Sequence, residues 1–289
     1  CEHGVSGWNT YFREISRTIS VLPGTERGTG TLCSELRLSY SDLIPSESWY
    51  SSRKSSMLSI LPAKIGQQDF SVWARGNTPY KPYTKLSQAG KSIQQHIRKC
   101  KTDRSFTYCY IPSLDHIVHR YGCSSYETEQ QIILIDSWLQ KLAKNLPQSA
   151  CLLVTADHGL IDIKPENRHI ISDKDPIMRF LIAPPSGETS VPIFHVIPGH
   201  ESNFKKYFAS TKAGQDFTLL TPREAEQLHL FGPDFLGPIM RSRLGSFIGI
   251  AAKPATIEYQ EEAIDPPFAA IHGGMRPEEM FVSLYRFKG

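Results

Sequence analysis

The sequence predicts an α/β fold in which strands are linked through helices. Three observations predict it: the strand-like run "FTYCYI" at 106–111, the helix-spaced stretch after residue 124, and the run "LLVT" at 152–155. Strand, helix and strand in that order make a β-α-β unit, whose helical crossover favours parallel neighbours. Each strand ends in a loop carrying an aspartate and a histidine. In open α/β sheets, ligands gather beyond the carboxyl ends of the strands, where both loops are expected to lie.

Residues 5–80 are rich in Ser, Gly and Pro and read as irregular connections with short strands or turns. The segment "TKLSQAGKSIQQHIRKC" at 84–100 has helical spacing. Ser124 and Glu127 form an S-x-x-E box opening a helix whose apolar stripe is Ile132, Ile135, Trp138, Leu139 and Leu142, and Pro147 should stop it. A strand follows at 151–155. "PIMRFLIAPP" and "VPIFHVIPG" read as strands, and a short amphipathic helix covers 202–208. In "TPRE", Thr221 can cap a helix, Pro222 fits its first position and Glu224 completes the box. "SFIGIAA" at 246–252 and "EMFVSLYRF" at 279–287 read as strands, with "IHGGM" at 271–275 between them.

At 289 residues and 40% hydrophobic content the chain can bury a substantial core. Its net charge of +3 is mild, and the basic cluster "RKCKTDR" at 98–104 lacks the interleaved aromatics of a nucleic-acid groove. No run reaches the ~18 apolar residues of a membrane span. The six cysteines form no C-x-x-C pair, and Cys109 and Cys151 sit in strand-like runs where a thiol behaves as a small hydrophobe. Reduced thiols and a cytoplasmic location are the expectation.

Asp115 and His119 are four residues apart, which on a helix places both on one face within reach of one cation. A carboxylate with a neutral imidazole suits Zn²⁺ or a similar borderline metal better than Mg²⁺ or Ca²⁺, which prefer oxygen shells. His272, flanked by Gly273 and Gly274 that let the backbone approach closely, is a candidate third donor. Asp157 and His158 would supply half of a second site. Taken singly, each feature is also satisfied by a solvated helix start, a tight turn or a loop. Their conjunction at predicted strand ends points to metal chemistry.

Together "YIPSLDHIVHRYG", "LLVTADHGL" and "AAIHGGMRPEEMFVSL", in that order, resemble the type I phosphodiesterase and nucleotide pyrophosphatase family of the alkaline phosphatase superfamily. "FGP", "RSRLGSFIGIAAKP" and the opening "CEHGVSGWNTYFRE" add to the likeness, which spans nearly the whole chain. The resemblance implies an alkaline-phosphatase-like mixed sheet sandwiched by helices, one domain over 1–289 with an inserted cap at about 165–255 that governs substrate choice. It implies two divalent ions of zinc type, one on Asp115, His119 and His272, the other on Asp157 and His158. Paired metals suit in-line phosphoryl transfer on a small phosphate ester or nucleotide.

The family's nucleophile and a further aspartate lie upstream of the "EHG" found here at positions 2–4. The expectation is therefore an N-terminally truncated core, whether as a fragment or as a degraded homologue, inactive by itself. Asn9 is a candidate phosphate contact, although its offset differs by one residue and the direct match falls on Trp8. His116 should point away from the ligands. His3, His96, His169, His195, His200 and His229 read as surface or core residues, with His200 a candidate cap residue over the site. The competing function is a noncatalytic domain that keeps one metal as a clamp or binds phosphorylated ligands without turnover. An oxidoreductase is disfavoured because no G-x-G-x-x-G follows a predicted strand.

Overall fold

The computed structural model describes residues 3–48, 50, 56–100, 104–259 and 267–289. Cys1 and Glu2 of the opening motif, part of the basic cluster and most of the Ser-rich stretch lie outside them. The chain divides into two compact units, one of Cys1–Ser46 with His158–Met280, the other of Glu47–Asp157 with Phe281–Gly289.

In the first unit, the larger sheet has seven strands among the described residues. From one edge it runs Phe217–Leu220, Phe247–Ala251, Val191–Phe194, Ser186–Glu188, Asn9–Phe12, Arg17–Ser20, Thr25–Glu26, each pair antiparallel. Strand periodicity explains why both faces are apolar in the middle of this sheet. The facing pair Phe194 and Phe247 enters one core with Phe204, Phe208 and Phe217, whereas the next pair, Ile193 and Ile248, points to the other side with Met240 and Leu244. Phe204 reaches the first core from helix Glu201–Ala209 and stacks on Phe247 with centroids 5.6 Å apart. Arg243 is buried beneath the opening turn, donating to the carbonyls of Gly4 at 3.2 Å and Leu43 at 2.5 Å, with its guanidinium over Phe12.

In the second unit, Ser56–Pro62 is flanked by Tyr80–Tyr83 and Ser105–Cys109, all parallel. Helix Leu86–Lys99 closes over them, burying Ala89 and Ile93 against Leu58, Ile60, Tyr83 and Leu142. Helices Ser113–Tyr121 and Tyr126–Lys144 follow, tied by a 2.7 Å bond from Gln131 to the Ser113 hydroxyl.

The expected element order is largely present, with five corrections. The cap of the long helix is Ser125, whose hydroxyl accepts the Thr128 N–H at 3.1 Å, rather than Ser124. Its stripe narrows to Ile135, Trp138, Leu139 and Leu142, because Ile132 stays 49% exposed. Strand Cys151–Val154 pairs antiparallel with Tyr285–Lys288, not with Ser105–Cys109, and Cys151 is exposed rather than buried. "PIMRF" is a 3-10 helix: Asp175 caps it, accepting the Ile177 N–H at 3.0 Å, and Pro176 occupies its first turn. The start of "EMFVSLYRF" ends helix Pro277–Met280, leaving only its last residues in strand Tyr285–Lys288.

Candidate metal centre

Asp115 and His119 sit where the sequence places them, in the first and last turns of helix Ser113–Tyr121. Pro112 is its N-cap, and the strand before it is anchored by a bond from the Tyr110 N–H to Ile60 O and by the Tyr83 hydroxyl on Tyr110 O at 2.6 Å. The i,i+4 spacing brings His119 Nε2 to 3.3 Å from Asp115 Oδ1. The two side chains are largely buried, 13% and 28% exposed. His116 between them is exposed, as expected. Asp157 follows strand Cys151–Val154. Burial chiefly, then the Asp157 and Asp115 charges, push the Tyr110 hydroxyl above the ordinary phenol range. Burial, Tyr50, Tyr110 and Asp157 push Tyr108 up to about 12. Both phenols are therefore neutral donors beside this carboxylate edge.

In the other unit, the turns after "ADHG" and "AIHGG" come together. Strand Ala270–Ile271 pairs with Ile161–Asp162, which brings His272 beside His158. Their rings stack with centroids 3.6 Å apart and an interplanar angle of 14°. His158 Nδ1 lies 3.0 Å from the Gly159 carbonyl. A proton on Nδ1 would be donated there, leaving Nε2 as the ligating nitrogen, the usual arrangement of a metal-binding imidazole. Gly273 adopts φ +94°, a conformation that favours glycine, and a Cβ there would press on the Glu188 side chain.

Asn9 opens strand Asn9–Phe12 and is buried, its Oδ1 accepting the Ser20 hydroxyl at 2.7 Å. Trp8, the alternative position, is half exposed, and its N–H is held by Glu188 at 2.5 Å. The remaining histidines largely behave as expected. His96 is buried against the hydroxyls of Thr107 and Ser56, and His195 is buried 2.8 Å from the Ser186 hydroxyl. His169 pairs with Asp216 at 2.7 Å, which Lys253 also contacts. His200 is the exposed N-cap residue of helix Glu201–Ala209.

Carboxylate and imidazole donors such as these suit a borderline divalent ion better than a cation that prefers an all-oxygen shell. Residues 23–193, more than half the chain, match the type I phosphodiesterase/nucleotide pyrophosphatase family. The chain belongs to that family. The match contains Asp115, His119, Asp157 and His158 and stops before His272. The protein is thus a hydrolase of the phosphodiesterase and nucleotide pyrophosphatase type.

Among solved structures, murine ectonucleotide pyrophosphatase/phosphodiesterase 5 superposes with a TM-score of 0.64 at 14% identity, covering 98% of this chain and 72% of the other. The human counterpart gives 0.66 at 12% identity, covering 99% and 72%. Phosphonoacetate hydrolase from Sinorhizobium meliloti 1021, in complex with phosphonoacetate, gives 0.57 at 14% identity, covering 99% and 74%. The murine protein also has an inactive form solved with AMP. These likenesses show the alkaline-phosphatase-like α/β fold. No curated protein matches the chain. No helix among the described residues is long and apolar enough to cross a membrane.

Sequence reasoning missed Glu188 and Glu279, whose side chains lie against Gly273 and Gly274 of the His272 turn. Glu279 is only 3% exposed, and its carboxylate accepts the Gly274 N–H at 2.8 Å. An acid at the start of a short helix reads as solvated, and only its fixed distance after "HGG" could have marked it.

Proposed function

We propose that this chain carries the metal-holding residues of a hydrolase acting on a phosphodiester or nucleotide pyrophosphate bond of a small molecule. Asp115, His119 and His272 would hold one divalent ion, and Asp157 and His158 the other. The observation that carries the reading is the stack of His158 on His272, since it joins two motifs that the sequence separates widely. Zinc-type ions, when bound, would supply Lewis acidity to the phosphoryl oxygens and lower the pKa of the attacking oxygen.

The chain's own residues orient and screen. His119 and Asp115 share one helix face, so a rigid element fixes their donor atoms. The Gly159 carbonyl sets the His158 tautomer by accepting from Nδ1. Neutral Tyr108 and Tyr110 can donate to the carboxylate edge without adding negative charge that would repel a phosphate. Asn9, buried at the start of its strand, would contact the phosphate. The segment 165–255 would form a cap that selects the ester. Turnover is assayed on the full-length protein.

Chromogenic diester and monoester substrates, each assayed with and without a chelator, test the reading. Chelator-sensitive turnover with preference for the diester is expected. Diester hydrolysis that survives complete metal removal, or no hydrolysis of any phosphate ester by metal-loaded protein, would overturn it.

A further inference from the structure

Glu279 is buried within helix Pro277–Met280 and bonds to the turns that follow both site histidines of its unit. Its carboxylate accepts the N–H of Gly274, two residues after His272, at 2.8 Å. Its backbone carbonyl accepts the N–H of Gly159, the residue after His158, also at 2.8 Å. Neither glycine has room for a side chain. A Cβ on Gly274 would collide with the Glu279 carboxylate, and one on Gly159 with the backbone carbonyl of Glu278.

A buried carboxylate is costly unless hydrogen bonds satisfy it. Burial pushes the Glu279 carboxyl above its ordinary range, while the N–H groups of Gly274 and Arg276 pull it back. The helix that carries it is one turn long and has little stability of its own. The two bonds tie this short helix to both turns.

We propose that Glu279 is a positioning residue that holds the imidazoles of His158 and His272 ring to ring by fixing both turns. The proposal deepens the metal-centre reading and rests on it for its catalytic meaning. It acts through the turns: the side-chain bond orders the His272 loop and the main-chain bond couples the His158 loop to it. Supporting interactions of this kind change metal affinity by about 10- to 100-fold.

The test uses the full-length protein with isotope-labelled histidine, first metal-free and then titrated with Zn²⁺ against a chromophoric chelator. Metal-free wild type should show a strong ring-to-ring nuclear Overhauser contact between His158 and His272. E279A should lose that contact and bind Zn²⁺ about 10- to 100-fold more weakly. E279Q, which keeps an acceptor of the same length, should retain both properties.

An E279A protein with wild-type ring contact and Zn²⁺ affinity, changed only in Tm, would overturn the proposal. Should E279A fail to fold, the comparison passes to E279D, whose carboxylate is one methylene short of Gly274. Loss in E279D but not E279Q supports the positioning role, and equal behaviour of the two overturns it. A wild type that shows the ring contact and its dependence on Glu279 but binds no Zn²⁺ would overturn the metal reading while upholding the positioning role.

Discussion

The imidazoles of His158 and His272 lie face to face at 3.6 Å, joined by the antiparallel pairing of the short strands beside them. If each serves a different ion of a close pair, removing either should cost one site more than the other. H272A is expected to retain roughly one metal equivalent after dialysis and to lose at least about 100-fold in kcat/KM, with Tm little changed. Metal analysis and steady-state kinetics on the same preparation check this.

The close approach at Gly159 and Gly274 predicts steric intolerance. G159A meets backbone, which cannot yield, whereas G274A meets the end of a side chain. Thermal unfolding should show G159A destabilised by about 1–3 kcal/mol and G274A by less. A G159A protein as stable as wild type would contradict the packing.

His195 gives the fold a pH signature. Burial chiefly, with the Arg13 charge adding to it, lowers its pKa from 6.5 to about 4. The folded state therefore resists a proton that the unfolded chain takes up between those values. The contribution is fully present above pH 6.5 and is lost as pH falls toward 4, by roughly 3 kcal/mol in total. Denaturant unfolding across that window should flatten in H195N, where Asn can still accept from Ser186.

The long helix offers a local test. Ser125 caps it through the Thr128 N–H, so S125A should cost about 1 kcal/mol while S124A changes stability by less than ~0.5 kcal/mol. The reverse ranking would restore the cap that the S-x-x-E pattern suggests.

The local geometry of the motifs was legible because local rules govern it. The i,i+4 spacing of Asp115 and His119 survives in the structure, and the Thr221–Glu224 box forms as written. What was not legible depends on partners distant in sequence. Strand Cys151–Val154 takes its neighbour from the last residues of the chain, and no pattern in "LLVT" specifies that choice. "PIMRF" has an apolar run suited to a strand, yet Asp175 and Pro176 impose a capped turn on it. Ser125 displaces Ser124 because the helix enters one residue later, a shift below the resolution of motif spacing. Glu279 looks like a surface acid until the turn of Gly274 is folded onto it. His272 was already a candidate donor from its flanking glycines, and its stacking on His158 depends on strand pairing that no local spacing reveals.

Anomalous diffraction at the zinc edge, on crystals of the zinc-loaded full-length protein, tests the two-ion assignment most directly. The expected result is two peaks, one within about 2.0–2.2 Å of donor atoms of Asp115, His119 and His272, the other bonded to Asp157 and His158. A fully loaded crystal with no peak in bonding reach of His272, or with a single ion shared by all five residues, would contradict it.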